Sequence, residues 1–244
     1  EFTGMFVIFL VIRWKGLSKK FALFQELRWN KANSSLIFAM SAPLMFQHAI
    51  SIISWHFFFL LTEHHGDMAL KVSNVMRNIF GVFGCVTWAF AATTNAMVSN
   101  VIGQGKQEQV GQLLLKIVKL SMAVSVFTCL LLNIFPEQFL SIFGQGPAFV
   151  EAALPVLRVV TAAMVLMSFS IITLSAVTGT GNTRVTFLIE VFAIIMYCAY
   201  VYLVSEYYFL PIKYGWMSEW LYWSCIFLPS FLYLRSGRWK HKVI

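Results

Sequence analysis

Apolar residues run along this chain in long unbroken stretches, without the every-second-residue alternation of a sheet face. Six of these stretches are long enough to cross a bilayer, which takes about 20 helical residues. They cover residues 34–62, 69–102, 110–135, 150–180, 185–210 and 218–234. The second is driest after Ile79. Turn chemistry separates them. Gly66-Asp67 follows the first, Gly103-Gln-Gly105-Lys106 the second, and Pro136 and Gly144-Gln-Gly146-Pro147 the third. Gly179-Thr-Gly181-Asn182 follows the fourth and Leu210-Pro211 the fifth. An earlier apolar stretch, residues 2–14, is too short to span and lacks the basic start and small-residue cleavage site of a signal peptide. It reads as the end of a severed helix, so a preceding part of the protein is expected before Glu1. The pattern predicts an all-α membrane protein in three parts. Residues 1–33 are the truncated helix plus a basic cytoplasmic connector, 34–235 a six-transmembrane-helix bundle, and 236–244 a basic cytoplasmic tail.

Composition narrows the class. Of 244 residues, 59% are hydrophobic and 11% charged, and the mean hydropathy is +0.75. A soluble domain carries about 25% charged residues, so this chain has too few polar groups to cover a globule in water. A disordered chain, a disulfide-stapled module and an ordinary cytosolic enzyme are excluded. The unbroken apolar runs exclude an outer-membrane barrel. The 24 Phe, 8 Trp and 8 Tyr suit a lipid-facing surface with interfacial aromatics.

The net charge of +8 is distributed by topology. Arg13, Lys15, Lys19, Lys20, Arg28 and Lys31 precede the first span. Lys106, Lys116 and Lys119 follow the second, Arg184 the fourth, and Arg235, Arg238, Lys240 and Lys242 the sixth. Six crossings put all of these on one side, against Lys71, Arg77, Arg158 and Lys213 on the other. The basic side is expected to be cytoplasmic, with both ends of the chain inside and the protein multi-pass in the cell membrane. No soluble basic surface exists to bind nucleic acid.

Candidate chemistry lies within the spans. Cys85, Cys129, Cys198 and Cys225 sit in apolar runs without a CxxC pair and read as small hydrophobes. His48, His56, His64 and His65 fall in or just after the first span, but adjacent histidines rarely both reach one metal ion. No HExxH, P-loop, nucleophile elbow or dinucleotide fingerprint occurs. In the second span Asn74, Asn78, Gly81, Cys85, Trp88, Ala92, Asn95 and Ser99 recur at steps of three or four, placing them on one helical face with Arg77 at its border. In the first span Gln47, Ser51 and Ser54 stack, with His48 and Trp55 beside them and Pro43 expected to bend the helix. In the fourth, Arg158, Thr161, Ser168, Ser175 and Gly179 share a face. Polar faces avoid lipid, so each is either a helix contact or part of a wet cavity. Three such faces point to a shared cavity with Gln47, Ser51, Trp55, Arg77, Asn78, Trp88, Asn95 and Ser168 as its lining. Glu190 is the acid inside an apolar run, about two turns from the basic end of the fifth span. It is either an ion-coupling group or the partner of a snorkelling Lys116 or Lys119, and its shallow position favours the ion pair.

Two turns carry a family resemblance. Asn95-Ala-Met-Val-Ser-Asn-Val-Ile-Gly-Gln-Gly-Lys106 and Ala176-Val-Thr-Gly-Thr-Gly-Asn-Thr-Arg184 resemble turns after the second and fourth helices in the C-terminal half of multidrug and toxic compound extrusion (MATE) transporters. The resemblance covers essentially the whole chain. It implies one six-helix lobe of a twelve-helix secondary transporter, with the N-terminal lobe as its partner. It also implies exchange of Na+ or H+ for cationic amphipathic compounds by alternating access, and no cofactor. Some members carry coupling acids in the first and fourth helices of this lobe. Those positions hold Gln47 and Phe169 here, which moves the expected coupling acid to the missing lobe, with Glu190 as the remaining candidate in this one. A lipid-linked saccharide flippase of the same superfamily is the alternative, though it calls for a ring of arginines. A membrane-embedded enzyme is a second alternative, and no clustered His, Asp or Glu supports it.

Overall fold

The structure is a computed structural model that describes residues 2–20 and 30–241. Arg28 and Lys242, counted above among the cytoplasmic basic residues, lie outside the described residues. Residues 1–39 form one compact unit and 40–244 another. In the first, α1 (Phe2–Trp14) buries no residue and turns at Gly16, whose φ is +65°, into the short α2 (Leu17–Lys20). Here α3 (Lys31–Glu63) begins. The Asn30 side chain caps it, its Oδ1 accepting from the backbone N–H groups of Ala32 at 3.0 Å and Asn33 at 3.2 Å.

The second unit continues α3 and adds α4 (Asp67–Gly103), α5 (Val110–Ile134), the short α6 (Pro136–Ser141) and α7 (Pro147–Gly179). After these come α8 (Thr183–Tyr202), the five-residue α9 (Ile212–Trp216) and α10 (Ser218–Arg235). No strand occurs among the described residues. Five segments are long and apolar enough to cross a membrane: α3, α4, Gln107–Ile134, α7 and Thr183–Tyr207. They match five of the six expected spans to within a few residues. The sixth, α10, is helical as expected and about 27 Å long at 1.5 Å per residue. Glu219, Arg235 and Pro229 make it less apolar than the others. The expected breaks at Pro136, Pro147 and Pro211 coincide with helix boundaries, while α3 runs through Pro43 and α7 through Pro155.

The core is organised around α7, which packs against α4, α10 and α5. Its small residues allow this. Ala153, Ala163 and Ala176 are fully buried, and a Cβ on Gly179 would come within 2.9 Å of both the Asn95 carbonyl oxygen and Val98 Cβ. Backbones that approach this closely associate by van der Waals packing, since apolar burial drives little between helices in lipid. Polar groups then tie the helices. The Ser99 hydroxyl donates to the Gly179 carbonyl at 2.9 Å, Asn133 Nδ2 to Thr161 Oγ1 at 3.0 Å, and Trp216 Nε1 to Ser73 Oγ at 3.1 Å.

Two clasps close the ends of this unit. At the turn after α3, His64 Nδ1 lies 2.8 Å from Glu206 Oε2. His65 Nε2 contacts the Ser205 carbonyl at 3.0 Å and its ring stacks on Phe209. The two histidines thus serve separate partners across one loop contact. At the opposite end, the expected tail is folded as far as it is described. Lys240 Nζ contacts both Glu108 oxygens at 2.9 and 3.0 Å, and Trp239 is buried against Val98, Val110 and Ala176.

Candidate functional site

Between α3 and the bundle lies a cavity of about 730 Å³. Each wall follows from helical spacing. From α3 come Leu44, Gln47, His48, Ser51 and Trp55, and from α4 Arg77, Phe80, Gly81, Trp88, Ala91, Ala92 and Asn95. The inner wall is Ile171, Leu174, Ser175 and Thr178 of α7, Thr186 and Glu190 of α8, and Tyr222, Trp223 and Ile226 of α10. A second hollow of about 490 Å³ shares Leu44, Asn95 and Thr178 with the first. It extends the cleft to Gly103 and Gly181, the two glycine-rich turns picked out in the sequence.

Seven of the candidate residues therefore meet around one space: Gln47, Ser51, Trp55, Arg77, Trp88, Asn95 and Glu190. Two do not. Asn78 is exposed and lies outside the cavity lining; one step of 100° beyond Arg77 turns it away. Ser168 is fully buried. Its hydroxyl donates to the Val165 carbonyl at 2.7 Å, and its own carbonyl accepts from Ser121 Oγ at 3.2 Å, so it belongs to the α5–α7 contact. From α7 the cavity takes Ser175, two turns further along. Arg158 is exposed, and Thr161 is bonded to Asn133.

The lining alternates aromatic surface with single polar groups. The Arg77 guanidinium lies 5.0 Å from the centre of the Phe59 ring, and the ion pairs recorded among the described residues do not include it. Gln47 has a buried Oε1 with no hydrogen-bond partner. Glu190 is 3% exposed and its Oε1 accepts from the Tyr222 hydroxyl. The expected ion pair of Glu190 with Lys116 or Lys119 does not form. Both lysines are exposed on α5, and α5 packs against α7 and α4, away from α8. Glu190 instead faces the interior of the lobe.

Sequence reasoning missed the contribution of α10. Glu219, Tyr222 and Trp223 stand at i, i+3 and i+4 on one face of it, which is the signal that could have found them. Glu219 is 3% exposed and accepts from Trp223 Nε1 at 3.0 Å.

The cavity lining from Leu44 to Glu190 falls inside residues 43–203, the segment matched by the MatE family model. The chain belongs to the MatE family. Solved structures with the same fold agree with this membership. A MATE in complex with MaL6 superposes with a TM-score of 0.78 at 16% identity, covering 87% of this chain and 48% of that one. An outward-facing multidrug resistance MATE family transporter of the MOP superfamily gives 0.70 at 14%, covering 83% and 44%. A MOP superfamily transporter from Pyrococcus furiosus Vc1 (DSM3638), described as having a binding pocket of reverse polarity, gives 0.69 at 15%, covering 83% and 44%. The chain spans about half the length of these structures. No curated protein matches it by sequence. As a MatE protein it is a multi-pass membrane protein of a transporter family, which sets the enzyme alternative aside.

Proposed function

We propose that this MatE lobe forms half of a secondary transporter that exports cationic amphipathic compounds by alternating access, driven by counterflow of Na+ or H+. The observation that carries this reading is the combination in one cavity of aromatic walls with a buried carboxyl, Glu190. At about 730 Å³ the space lies within the range of small-molecule sites, about 300–1,000 Å³. Trp55 and Trp88 offer ring faces to a delocalised cation, the unpartnered Gln47 oxygen accepts from an N–H, and Glu190 supplies the opposite charge. The partner lobe completes the site, since rocking transport requires two bundles around one pocket. Trp88→Ala in the full-length transporter should raise the half-saturating concentration of a fluorescent aromatic cation roughly 2- to 30-fold, from a cation–π contact of about 0.5–2 kcal/mol. An unchanged value would place the aromatic contact elsewhere.

The flippase alternative keeps one supporting observation, Arg77 in the cavity without an ion-pair partner. The other candidate arginine, Arg158, lies outside the lining, so among the described residues Arg77 is the arginine that borders the cavity.

Orientation follows from charge. Lys106, Arg184, Arg235, Arg238 and Lys240 cluster at the end of the bundle with the glycine-rich turns, and that end is proposed to be cytoplasmic. An impermeant thiol reagent added to intact cells should leave Lys106→Cys unlabelled and label His64→Cys. The opposite pattern would invert the topology.

A further inference from the structure

Helix α5 stands apart from the cleft. The described residues that line its two hollows come from α3, α4, α7, α8, α10 and the turn at Gly181, and not from α5. This helix packs inward on α7 and α4 and leaves its outer face open. Gln112, Lys116 and Lys119 stand at i, i+4 and i+7 on that face, and all three are exposed. Leu120, Phe127 and Leu130 continue it as exposed apolar surface. The ion pairs recorded among the described residues include neither lysine.

Depth decides what the two lysines meet. The far end of α5 becomes polar at Pro136-Glu137. A hydrocarbon core of about 30 Å, counted back from there at 1.5 Å per residue, ends near Lys116. Both lysines therefore sit at the membrane boundary, with the apolar strip running from them into the core. Helical side chains lean toward the N-terminus, which for α5 is the headgroup side, so both ammonium groups reach that way. The local charge is one-sided. No acidic residue occurs in α5. The acid at its entry, Glu108, is already engaged through both oxygens by Lys240 Nζ, at 2.9 and 3.0 Å. Lys106 and Arg238 are exposed at the same end.

We propose that this face of α5 docks one anionic phospholipid. The ammonium groups of Lys116 and Lys119 hold the headgroup phosphate, Gln112 donates to one of its oxygens, and an acyl chain lies along Leu120, Phe127 and Leu130. Charge complementarity selects this occupant. An anionic phosphodiester brings unbalanced negative oxygens to the depth at which the lysines sit, whereas a zwitterionic lipid brings its own compensating cation. An apolar protein surface in the same place would desolvate two ammonium groups without supplying an anion. The site concerns the lipid around the lobe and stands independently of the transport reading.

The whole chain, purified in detergent, would be titrated with dioleoylphosphatidylglycerol and separately with dioleoylphosphatidylcholine, and bound lipid counted by native mass spectrometry. The phosphatidylglycerol is expected to bind roughly 10- to 30-fold more tightly, from two lysines at the headgroup level. In the double variant Lys116→Gln/Lys119→Gln that preference should fall to within about twofold. Both lysines are exposed, so the double variant should keep the thermal midpoint of the wild type. Lys116→Arg/Lys119→Arg retains both charges and should retain most of the preference. Lys71→Gln, at the opposite end of the bundle, should leave it unchanged. Excess inorganic phosphate should not displace the lipid, because it lacks the acyl chains that hold the headgroup in place. Equal binding of the two lipids by wild type, or a preference that survives in the double glutamine variant, would overturn the proposal. So would a preference lost equally in Lys71→Gln, or displacement by inorganic phosphate, which would mark a site for a soluble anion.

Discussion

Replacing Gly179 by alanine should destabilise the lobe by about 1–3 kcal/mol, the usual penalty for adding a methyl group to a tight helix contact. The added Cβ would lie 2.9 Å from the Asn95 carbonyl oxygen and 2.9 Å from Val98 Cβ. Backbone cannot swing aside as a flexible side chain does, so α4 and α7 must separate. The Ser99 hydroxyl would then lose its 2.9 Å bond to the residue 179 carbonyl. Because α4 and α7 also carry two walls of the cavity, the change should weaken ligand binding as well. Gly81→Ala is the control. A Cβ there meets open space, and alanine is the better helix former by up to about 1 kcal/mol. Thermal unfolding in detergent should therefore rank Gly81→Ala at or above wild type and Gly179→Ala well below it. Equal midpoints for the two variants would mean that the α4–α7 approach is looser than described.

Glu190→Gln in the full-length transporter should reduce gradient-driven efflux more than tenfold while leaving expression and folding intact. Glutamine has the same shape, and its carbonyl oxygen still accepts from Tyr222, so the bond that fixes this side chain survives. What it loses is the ability to exchange a proton or to balance a cation in a site that is 3% exposed. Proteoliposomes under an imposed proton or sodium gradient give the measurement. Undiminished coupled efflux would return the coupling acid to the other lobe, where the sequence alone places it.

The packing of Glu190 marks the limit of the sequence, which favoured an ion pair with Lys116 or Lys119. The helices were legible because lipid imposes long apolar runs and glycine marks the turns. The α4 stripe was legible because one helical face repeats every 3.6 residues, and Arg77, Trp88 and Asn95 do share a cavity. Asn78 fell on the wrong side by one residue, an angular error that a stripe drawn at steps of three and four cannot resolve. Ser168 failed for a different reason. About two thirds of the apolar window of α7 is buried, and on a helix enclosed by neighbours a polar face can be either a helix contact or a cavity wall. The environment of Glu190 depends on whether α5 or α10 packs beside α8, a non-local fact that spacing does not contain. The same holds for Phe169, which meets Phe227 of α10 edge-on at 4.8 Å. Glu219 shares a helical face with Tyr222 and Trp223, but at the less apolar start of the sixth span that spacing reads equally as a solvated face. Only packing shows that it is buried.

The most direct test of the cavity as the transport site compares two cysteines one helix apart. Ser51→Cys lines the space, whereas Asn78→Cys is exposed outside it. Both would be made in a background where the exposed Cys85 is serine, and assayed for aromatic-cation efflux in proteoliposomes of the full-length transporter. A bulky thiol adduct at position 51 is predicted to stop efflux, with excess substrate slowing its attachment, while an adduct at position 78 leaves efflux unchanged. Efflux that persists with position 51 fully modified, or stops equally at both positions without substrate protection, would contradict the account.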